Sequence, residues 1–271
     1  MLVNSVEILT EAKKRGTGYP APDFFDYDSA KCFVETAERL RTPLLLSYAQ
    51  VFDPFFPLED AADIGLYFAR KASVPVVLHL DHGTDEAFID RAIKLGFSSV
   101  MLDASTDPFE KNISRTAAVA EKAHALGISV EAEIGHVGSG TLLTDDSVYT
   151  EVAEAVAFAE KTGVDSLAVS IGTAHGVYKK SNPVLNFERL EELNAALSIP
   201  LVLHGGSGTG DENIRRCVRG GITKVNVYTE FLLASAAAVK EEGTGDLHKM
   251  KEAARNAMKD VLAHYYDICK G

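Results

Sequence analysis

The feature that most constrains the fold of this chain is a regular alternation between short apolar runs and amphipathic stretches with helical spacing. The apolar runs are rich in β-branched residues and almost continuously hydrophobic, which is typical of parallel strands covered on both faces. Eight runs recur roughly every 25 to 35 residues, and this rhythm predicts an α/β fold, a single (β/α)8 TIM barrel. The predicted strands are Gly18–Phe25, which has the weakest pattern, Pro43–Ala49, Val74–Leu80, Ser98–Asp103, Ser129–Ile134, Asp165–Ile171, Pro200–His204 and Thr223–Tyr228.

Between the apolar runs, helical periodicity predicts helices at Asp85–Leu95, Asn112–Leu126 and Val152–Lys161. The stretch Asp246–Ile268 predicts one long helix or two joined helices. No Pro/Ser-rich linker interrupts residues 1–271, so we expect a single domain over this range. A doubly wound sheet is a weaker alternative, because no GxGxxG motif opens a first βα unit.

Composition and charge argue against several classes of protein. The 271 residues are 46% hydrophobic, and their formal net charge of −12 disfavours a nucleic-acid partner, because phosphate neutralisation needs a basic surface. No apolar stretch approaches the roughly 18 residues of a transmembrane helix, and the N-terminal residues lack the apolar segment of a signal peptide. Cys32, Cys217 and Cys269 form no CxxC pair, so we expect reduced thiols in a cytoplasmic protein that binds no membrane.

Polar residues are concentrated at the ends of the predicted strands. In a (β/α)8 barrel the active site is built from the C-terminal ends of the strands. Strands three to eight each carry a histidine, a carboxylate or an asparagine at or near that end. In chain order these residues are His79, Asp81 and His82, then Asp103, Glu131, Glu133, His175, His204 and Asn226.

Three histidines, His82, His175 and His204, follow strands three, six and seven, in a chain that contains eight histidines. A single histidine at a strand end is more often a hydrogen-bonded core or loop residue than a metal ligand. Closure of the barrel, however, would bring all three around one opening. Three neutral imidazoles leave an open coordination position, the pattern of a catalytic zinc site. The sequence therefore predicts one catalytic Zn²⁺ ion.

Asp81 precedes a predicted ligand and lies two positions from His79, so the two side chains share the inner face of the strand. A carboxylate near a divalent cation stays ionised and can move a proton to or from a substrate hydroxyl. We expect Asp81 to be catalytic, the alternative being a carboxylate that orients a ligand histidine. His79 is expected to support the site by a hydrogen bond.

Two segments predict a phosphate site. Gly205-Gly206-Ser207-Gly208 follows strand seven, and Asn226–Thr229 ends strand eight. The loops after these strands are the recurrent phosphate-binding position of the barrel. Glycines let backbone N–H groups approach an anion, and Ser207 and Thr229 add hydroxyl donors. A flexible turn would account for the glycines alone.

Several blocks in order resemble the class II fructose-bisphosphate/tagatose-bisphosphate aldolase family. The blocks are LHLDHG (78–83), SSVMLDAS (98–105), PFEKNI (108–113), HALGISVEAEIGHVG (124–138), TGVDSLAVSIGTAHGVY (162–178), PLVLHGGSG (200–208) and GITKVNVYTE (221–230). The resemblance implies zinc-dependent, reversible retro-aldol cleavage of a ketose phosphate or bisphosphate to dihydroxyacetone phosphate and an aldehyde. It also implies a monovalent cation near the phosphate and a homodimer or homotetramer.

The resemblance implies roles for individual residues as well. Zinc would be held by His82, His175 and His204, and Asp81 would transfer the proton of the hydroxyl next to the broken bond. Asn226 would contact the reacting part of the dihydroxyacetone-phosphate half. Asp103 and Glu133 would hold a second metal ion or sit just outside the zinc ligands. The positions that match the dihydroxyacetone-phosphate site are Gly176, Gly205, Ser207, Asn226, Tyr228 and Thr229.

The chain departs from the family pattern in four places. The N-terminal block that usually carries an Asn, as in AFNV, reads Phe24-Phe25-Asp26-Tyr27-Asp28. The usual Gln and Ser of strand two are replaced by a segment in which Ser47 or Gln50 can substitute. The loop at 138–147 has no Glu, and the tail resembling FGSxGKA is missing.

These departures fall where the aldehyde half would bind, so we expect a ketose 1-phosphate, or a bisphosphate of another sugar, rather than fructose 1,6-bisphosphate. A metal-dependent hydrolase is an alternative, but it would favour a His-x-His on strand one, which this sequence lacks. A non-catalytic barrel would be marked by loss of Asp81 or of a ligand histidine, and all of these residues are present.

Overall fold

The structure is a computed structural model that describes residues 1–135, 137, 149–174, 176 and 183–271. Over these residues, eight parallel strands alternate with helices and form the predicted (β/α)8 TIM barrel. The strands are β1 (Tyr19–Pro22), β2 (Leu44–Ala49), β3 (Val76–Gly83), β4 (Ser99–Leu102), β5 (Ser129–Ile134), β6 (Ser166–Val169), β7 (Leu201–Leu203) and β8 (Ile222–Val227). The helices are α1 (Val6–Arg15), α2 (Tyr27–Leu40), α3 (Leu58–Lys71), α4 (Glu86–Leu95), α5 (Phe109–His124), α6 (Val152–Thr162), α7 (Phe187–Ala196), α8 (Asp211–Arg219), α9 (Thr229–Glu242) and α10 (Leu247–Ile268).

The sheet runs in the order β1-β8-β7-β6-β5-β4-β3-β2, and a short contact between β1 and β2 closes it. Asp23, just after β1, forms a parallel bridge with Ser47 of β2, and the backbone N–H of Phe24 donates to the Ser47 carbonyl at 2.8 Å. This contact brings the first and last strands of the sheet together, as a barrel requires.

Side chains on each strand alternate between the helices and the barrel interior. On β2, Leu44, Leu46 and Tyr48 belong to the large core between strands and helices, whereas Leu45 belongs to a second, smaller core. This smaller core fills the N-terminal end of the interior with Ala21, Leu45 and Val77, against which Leu9 of α1 packs. Further along the strands the inward positions become polar, as at Ser47. The interior is therefore apolar at one end and polar at the other.

The strand predictions overlap all eight observed strands, with shifts at the ends. Both ends of β3 lie later than predicted, because this strand begins at Val76 and continues through His82 to Gly83, where the pairing with β4 changes register. The C-terminal stretch forms one long helix, α10, whose first turn is capped by the side chain of Asp246. Among the described residues, no helix is both long and apolar enough to cross a membrane.

Candidate active site

A cavity of about 470 Å³ lies at the C-terminal ends of the strands. Most of the residues that the sequence analysis selected lie in its wall. These are Asp81, His82, Asp103, Gly176, Gly205, Ser207, Asn226, Tyr228 and Thr229. Glu133 and His204 are buried beside this group, whereas His175 lies outside the described residues.

His82 reaches the cavity through a local irregularity of β3. On a regular strand it would share the outward face of Leu80, but the register with β4 shifts between Leu80 and Gly83. The backbone of His82 has φ +47°, in the left-handed region that few residues other than glycine adopt. The neighbouring Gly83 has no room for a side chain, because a Cβ there would lie 2.5 Å from the Met101 carbonyl oxygen. The irregularity turns His82 toward the site.

Asp103 fixes the orientation of the His82 ring. The Nδ1 atom of His82 lies 2.8 Å from Asp103 Oδ2, and the Ser105 hydroxyl and backbone N–H donate to Asp103 Oδ1. Burial alone would raise the pKa of Asp103, but these hydrogen bonds and the charge of His82 hold it below its usual value. Hydrogen bonding through Nδ1 directs the Nε2 edge of the ring toward Asp81 Oδ2, 3.8 Å away.

His204 is fully buried between two carboxylates of β5. Its Nε2 lies 3.1 Å from Glu131 Oε1, and its Nδ1 lies 3.1 Å from Glu133 Oε2. Burial alone would lower the pKa of His204, but these two contacts raise it to about 10. The ring centres of His82 and His204 are 4.4 Å apart. Because a metal ion binds neutral imidazole, metal binding at His204 must release a proton.

Two overlapping groups of side chains have the composition and spacing of a divalent metal site. Asp81, His82 and His204 each place one ligand atom within 4.8 Å of the others, and His82, Asp103 and Glu133 do the same. Imidazole nitrogens combined with carboxylate oxygens suit zinc and other first-row divalent metals. The residues present therefore fit the predicted metal.

The carboxylate of Asp81 is ionised and held in place by Asn226. Asn226, on the opposite strand β8, donates a hydrogen bond from Nδ2 to Asp81 Oδ1 at 2.8 Å. Burial alone would raise the pKa of Asp81, but positive charge on His82 and His204 lowers it to about 2. Asp81 is therefore an ionised acceptor, positioned by Asn226 at the edge of the cavity.

The glycine-rich loop after β7 packs tightly against its neighbours. A Cβ on Gly205 would lie 2.5 Å from the Ala174 carbonyl oxygen, and one on Gly206 would lie 2.7 Å from the Asn226 carbonyl oxygen. Close packing therefore requires glycine at both positions. A flexible turn, the alternative explanation for these glycines, does not account for this packing. Ser207 Oγ accepts a hydrogen bond from the backbone N–H of Tyr228 at 3.2 Å, immediately before α9 begins. The loop and the N-terminus of α9 thus border the cavity together, an arrangement suited to an anion.

Comparison with known proteins identifies the family. The family model described as "Fructose-bisphosphate aldolase class-II" matches residues 3–271. The chain belongs to the class II fructose-bisphosphate aldolase family. An aldolase is a carbon–carbon lyase, so the enzyme class predicted from the sequence is confirmed.

Individual relatives of this aldolase cover nearly its whole length. It is 36% identical over 272 residues to a "Fructose-bisphosphate aldolase" of Staphylococcus epidermidis, covering 96% of this chain and 94% of the relative. It is 36% identical over 278 residues to "D-tagatose-1,6-bisphosphate aldolase subunit GatY" of Klebsiella oxytoca, with 99% and 97% coverage. Among solved structures, the YdjI aldolase of Escherichia coli K12 superposes with a TM-score of 0.91 at 34% identity, covering 100% of this chain and 99% of that one.

Sequence reasoning missed Asp23. The family's N-terminal block was placed at Phe24–Asp28, but Phe24 points into the outer core, and it is Asp23 that lines the cavity of the aldolase. The signal available was the period of two on β1, which puts Asp23 on the same inward face as Ala21. Of the two strand-two substitutes, Ser47 is buried in the interior, whereas Gln50 accepts a hydrogen bond from the backbone of Thr84.

Sequence reasoning also missed Lys224, which lies in the barrel interior close to the metal group. Its Nζ is 2.8 Å from both carboxylate oxygens of Glu131 and 3.2 Å from His79 Nε2. Burial and the charge of Lys224 lower the pKa of His79 to about 3, so this ring is neutral. Because the Lys224 ammonium can only donate, Nε2 accepts, and the proton on Nδ1 is then donated to Ser99 Oγ at 2.8 Å. His79 thus makes hydrogen bonds next to the candidate site, and its supporting role stays a prediction.

Replacing Lys224 by methionine is expected to lower the free energy of unfolding by about 3 to 5 kcal/mol, because the Glu131 charge would lose its buried partner. Urea denaturation measures this loss. Lys122→Met, which breaks an exposed pair with Asp90, is the matched control and should cost less than about 1 kcal/mol. Equal losses in the two variants would contradict the interpretation of Lys224 as a desolvated charge that neutralises Glu131.

Proposed function

We propose that this aldolase catalyses the reversible, zinc-dependent cleavage of a ketose phosphate to dihydroxyacetone phosphate and an aldehyde. The observation that carries the proposal is that Asp81, His82 and His204 each place one ligand atom within 4.8 Å of the others, beside the cavity. The glycine-rich loop and the start of α9 border the same cavity. This arrangement supports a site in which a proton acceptor, metal ligands and an anion-binding loop would act on one substrate.

His82 and His204 would hold the zinc ion, together with His175, as the family resemblance implies. Asp103 would orient His82, and Glu133 would orient His204 or help to hold a second metal ion. When bound, zinc supplies a Lewis acid that stabilises the negative charge developing on the ketose oxygens as the carbon–carbon bond breaks. This chemistry needs no lysine that forms a Schiff base with the substrate.

The protein's own groups would bind the substrate and move the proton. Asp81 removes the proton of the C4 hydroxyl during cleavage and returns it during condensation. Asn226 keeps the Asp81 carboxylate in place and contacts the dihydroxyacetone-phosphate half. The phosphate would bind to backbone N–H groups of the loop at Gly205 and to the hydroxyls of Ser207 and Thr229. Gly176 and Tyr228 would complete the wall around this half.

The charge of the cavity wall supports a substrate with one phosphate. Among the described residues that line the cavity, three are aspartates, Asp23, Asp81 and Asp103, and none is a lysine or arginine. A second hollow adjoins the cavity at Val51 and His82, and its described lining likewise contains an aspartate and no lysine or arginine. A second phosphate on the aldehyde half would therefore meet acidic rather than basic groups there, which favours a ketose 1-phosphate.

A coupled assay for dihydroxyacetone phosphate tests both parts of the proposal with purified, zinc-loaded protein. We expect fructose 1-phosphate or tagatose 1-phosphate to give a kcat/KM at least about tenfold above that of the corresponding 1,6-bisphosphate, because about 1.4 kcal/mol of unfavourable binding has this effect. Chelation should abolish cleavage, and zinc should restore it. Equal or better turnover of fructose 1,6-bisphosphate would reject the substrate assignment. Failure to release dihydroxyacetone phosphate from any ketose phosphate would reject the reaction.

A further inference from the structure

The carboxyl group of Asp23 is buried in the wall of the active-site cavity with an unsatisfied oxygen. Asp23 is only 6% exposed, and its Oδ1 atom has no hydrogen-bond partner among the described residues. A buried polar atom without a hydrogen bond destabilises the fold, so most such atoms in folded proteins have a partner. Because Asp23 lines the cavity, a molecule bound there can supply a partner for its carboxyl group.

The backbone holds Asp23 rigidly at the seam of the barrel. Its N–H donates to the Val227 carbonyl of β8 at 3.2 Å, and the residue forms the parallel bridge with Ser47 of β2. The Ser47 hydroxyl is fully buried and also has no partner among the described residues. Two adjacent positions on neighbouring strands therefore present unsatisfied oxygens toward the same interior.

The surroundings of Asp23 indicate what it can bind. Asp23 and Asp81 line the same cavity, and Asn226, which donates to Asp81, pairs with Ala21, two residues before Asp23. The cavity wall near the end of β2 contributes Ala49, Val51 and Phe52, which offer no charge for a phosphate. A carboxyl oxygen accepts a hydrogen bond from a hydroxyl group in either protonation state, and a neutral sugar hydroxyl suits such a place.

We propose that Asp23 binds a hydroxyl group on the aldehyde half of the substrate. The inference rests on the proposed function, in which Asp81 takes the proton of the first hydroxyl of that half. Asp23 lies near Asp81, whereas the phosphate would bind at the loop after β7 and at the start of α9. Asp23 is therefore a specificity-determining residue that selects a hydroxylated, uncharged aldehyde.

The test compares two aldehydes of equal chain length in condensation with dihydroxyacetone phosphate. Glyceraldehyde carries hydroxyl groups, and propionaldehyde carries none. Asp23→Ala is expected to lower kcat/KM for glyceraldehyde at least about tenfold and that for propionaldehyde less than about twofold, since a hydrogen bond is lost only with the first. Asp23→Asn keeps an acceptor oxygen and should recover most of the glyceraldehyde rate. Equal effects on both aldehydes, or no effect on either, would overturn the proposal.

Thr36→Val is the matched control, because it removes another buried, unsatisfied hydroxyl that lies on α2 and not in the described cavity wall. It should leave the ratio of the two aldehyde rates unchanged. Zinc content and melting temperature are measured for each variant, and we expect Asp23→Asn and Asp23→Ala to retain the metal. A ratio that moves as much in Thr36→Val as in Asp23→Ala would count against a specific contact.

A binding measurement separates this inference from the proposed reaction. In zinc-loaded protein carrying Asp81→Asn, calorimetry compares fructose 1-phosphate, which contains the aldehyde half, with dihydroxyacetone phosphate, which lacks it. Adding Asp23→Ala should weaken fructose 1-phosphate binding at least about tenfold and leave dihydroxyacetone phosphate binding nearly unchanged. This result would support the contact even if the wild-type protein catalysed no condensation. Equal weakening of both ligands would overturn it.

Discussion

Asp81→Ala is expected to lower kcat for ketose phosphate cleavage by about 10² to 10⁴, the usual contribution of a positioned general base, while zinc stays bound. The reason lies in the position of the carboxylate. It is buried, ionised and held by Asn226, and its other oxygen lies 3.8 Å from His82 Nε2. Removing it takes away the proposed proton acceptor and leaves the histidines proposed as zinc ligands in place.

Metal analysis and the coupled assay decide the role of Asp81 together. Asp81→Asn is the matched variant, because it preserves the volume and a hydrogen bond to Asn226 but cannot accept the proton. It should be nearly as slow as Asp81→Ala. If either variant lost its zinc, Asp81 would be a metal ligand, as its place in the group with His82 and His204 also allows. An undiminished rate with full zinc content would refute the assigned role.

His204→Ala is expected to lose zinc and activity together. Loss of groups that merely orient a metal ligand typically costs about 10- to 100-fold in metal affinity, and loss of a ligand itself should cost more. His204 also lies between Glu131 and Glu133, so its removal leaves two buried carboxylates without the imidazole that separates them. We therefore expect at least about a hundredfold loss of zinc affinity, and cleavage below detection at limiting zinc.

Elemental analysis after dialysis against a weak chelator measures the zinc that His204→Ala retains. His124→Ala is the matched control, because this histidine pairs with Asp165 on the surface at 2.8 Å, and its side chain is 41% exposed. The control should keep zinc and full activity. Stoichiometric zinc in His204→Ala at wild-type affinity would show that the metal, if present, is held elsewhere.

The fold could be predicted because strand and helix periodicities are local properties of the sequence. The eight apolar runs and the helices between them all appear in the barrel, and Ser129–Ile134 was predicted with the observed ends. Strand ends were less predictable where pairing departs from regularity. The extension of β3 through His82 depends on a register shift against β4, and sequence alone does not reveal which residue of a neighbouring strand will pair.

Candidate site residues that belong to sequence motifs could be predicted. Residues identified only by the alternation of inward and outward side chains along a strand could not. His82, His204 and Asp81 stand out because several strands end in the same residue types. Asp23 was missed because the N-terminal block was placed one position too late, and a shift of one residue on a strand exchanges the inner and outer faces. Lys224 was missed because its partner, Glu131, is distant in the sequence and comes next to it only when the barrel closes.

The packing of α1 against the lower end of the barrel has a kinetic consequence. Leu9 and its apolar neighbours Ala21, Leu45 and Val77 fill that end, so a ligand cannot pass through the N-terminal end of the barrel. Under the proposed reaction, the substrate and both of its fragments would therefore pass through the cavity at the C-terminal ends of the strands. We therefore expect each fragment to compete with the next ketose phosphate for this cavity, which would appear as product inhibition.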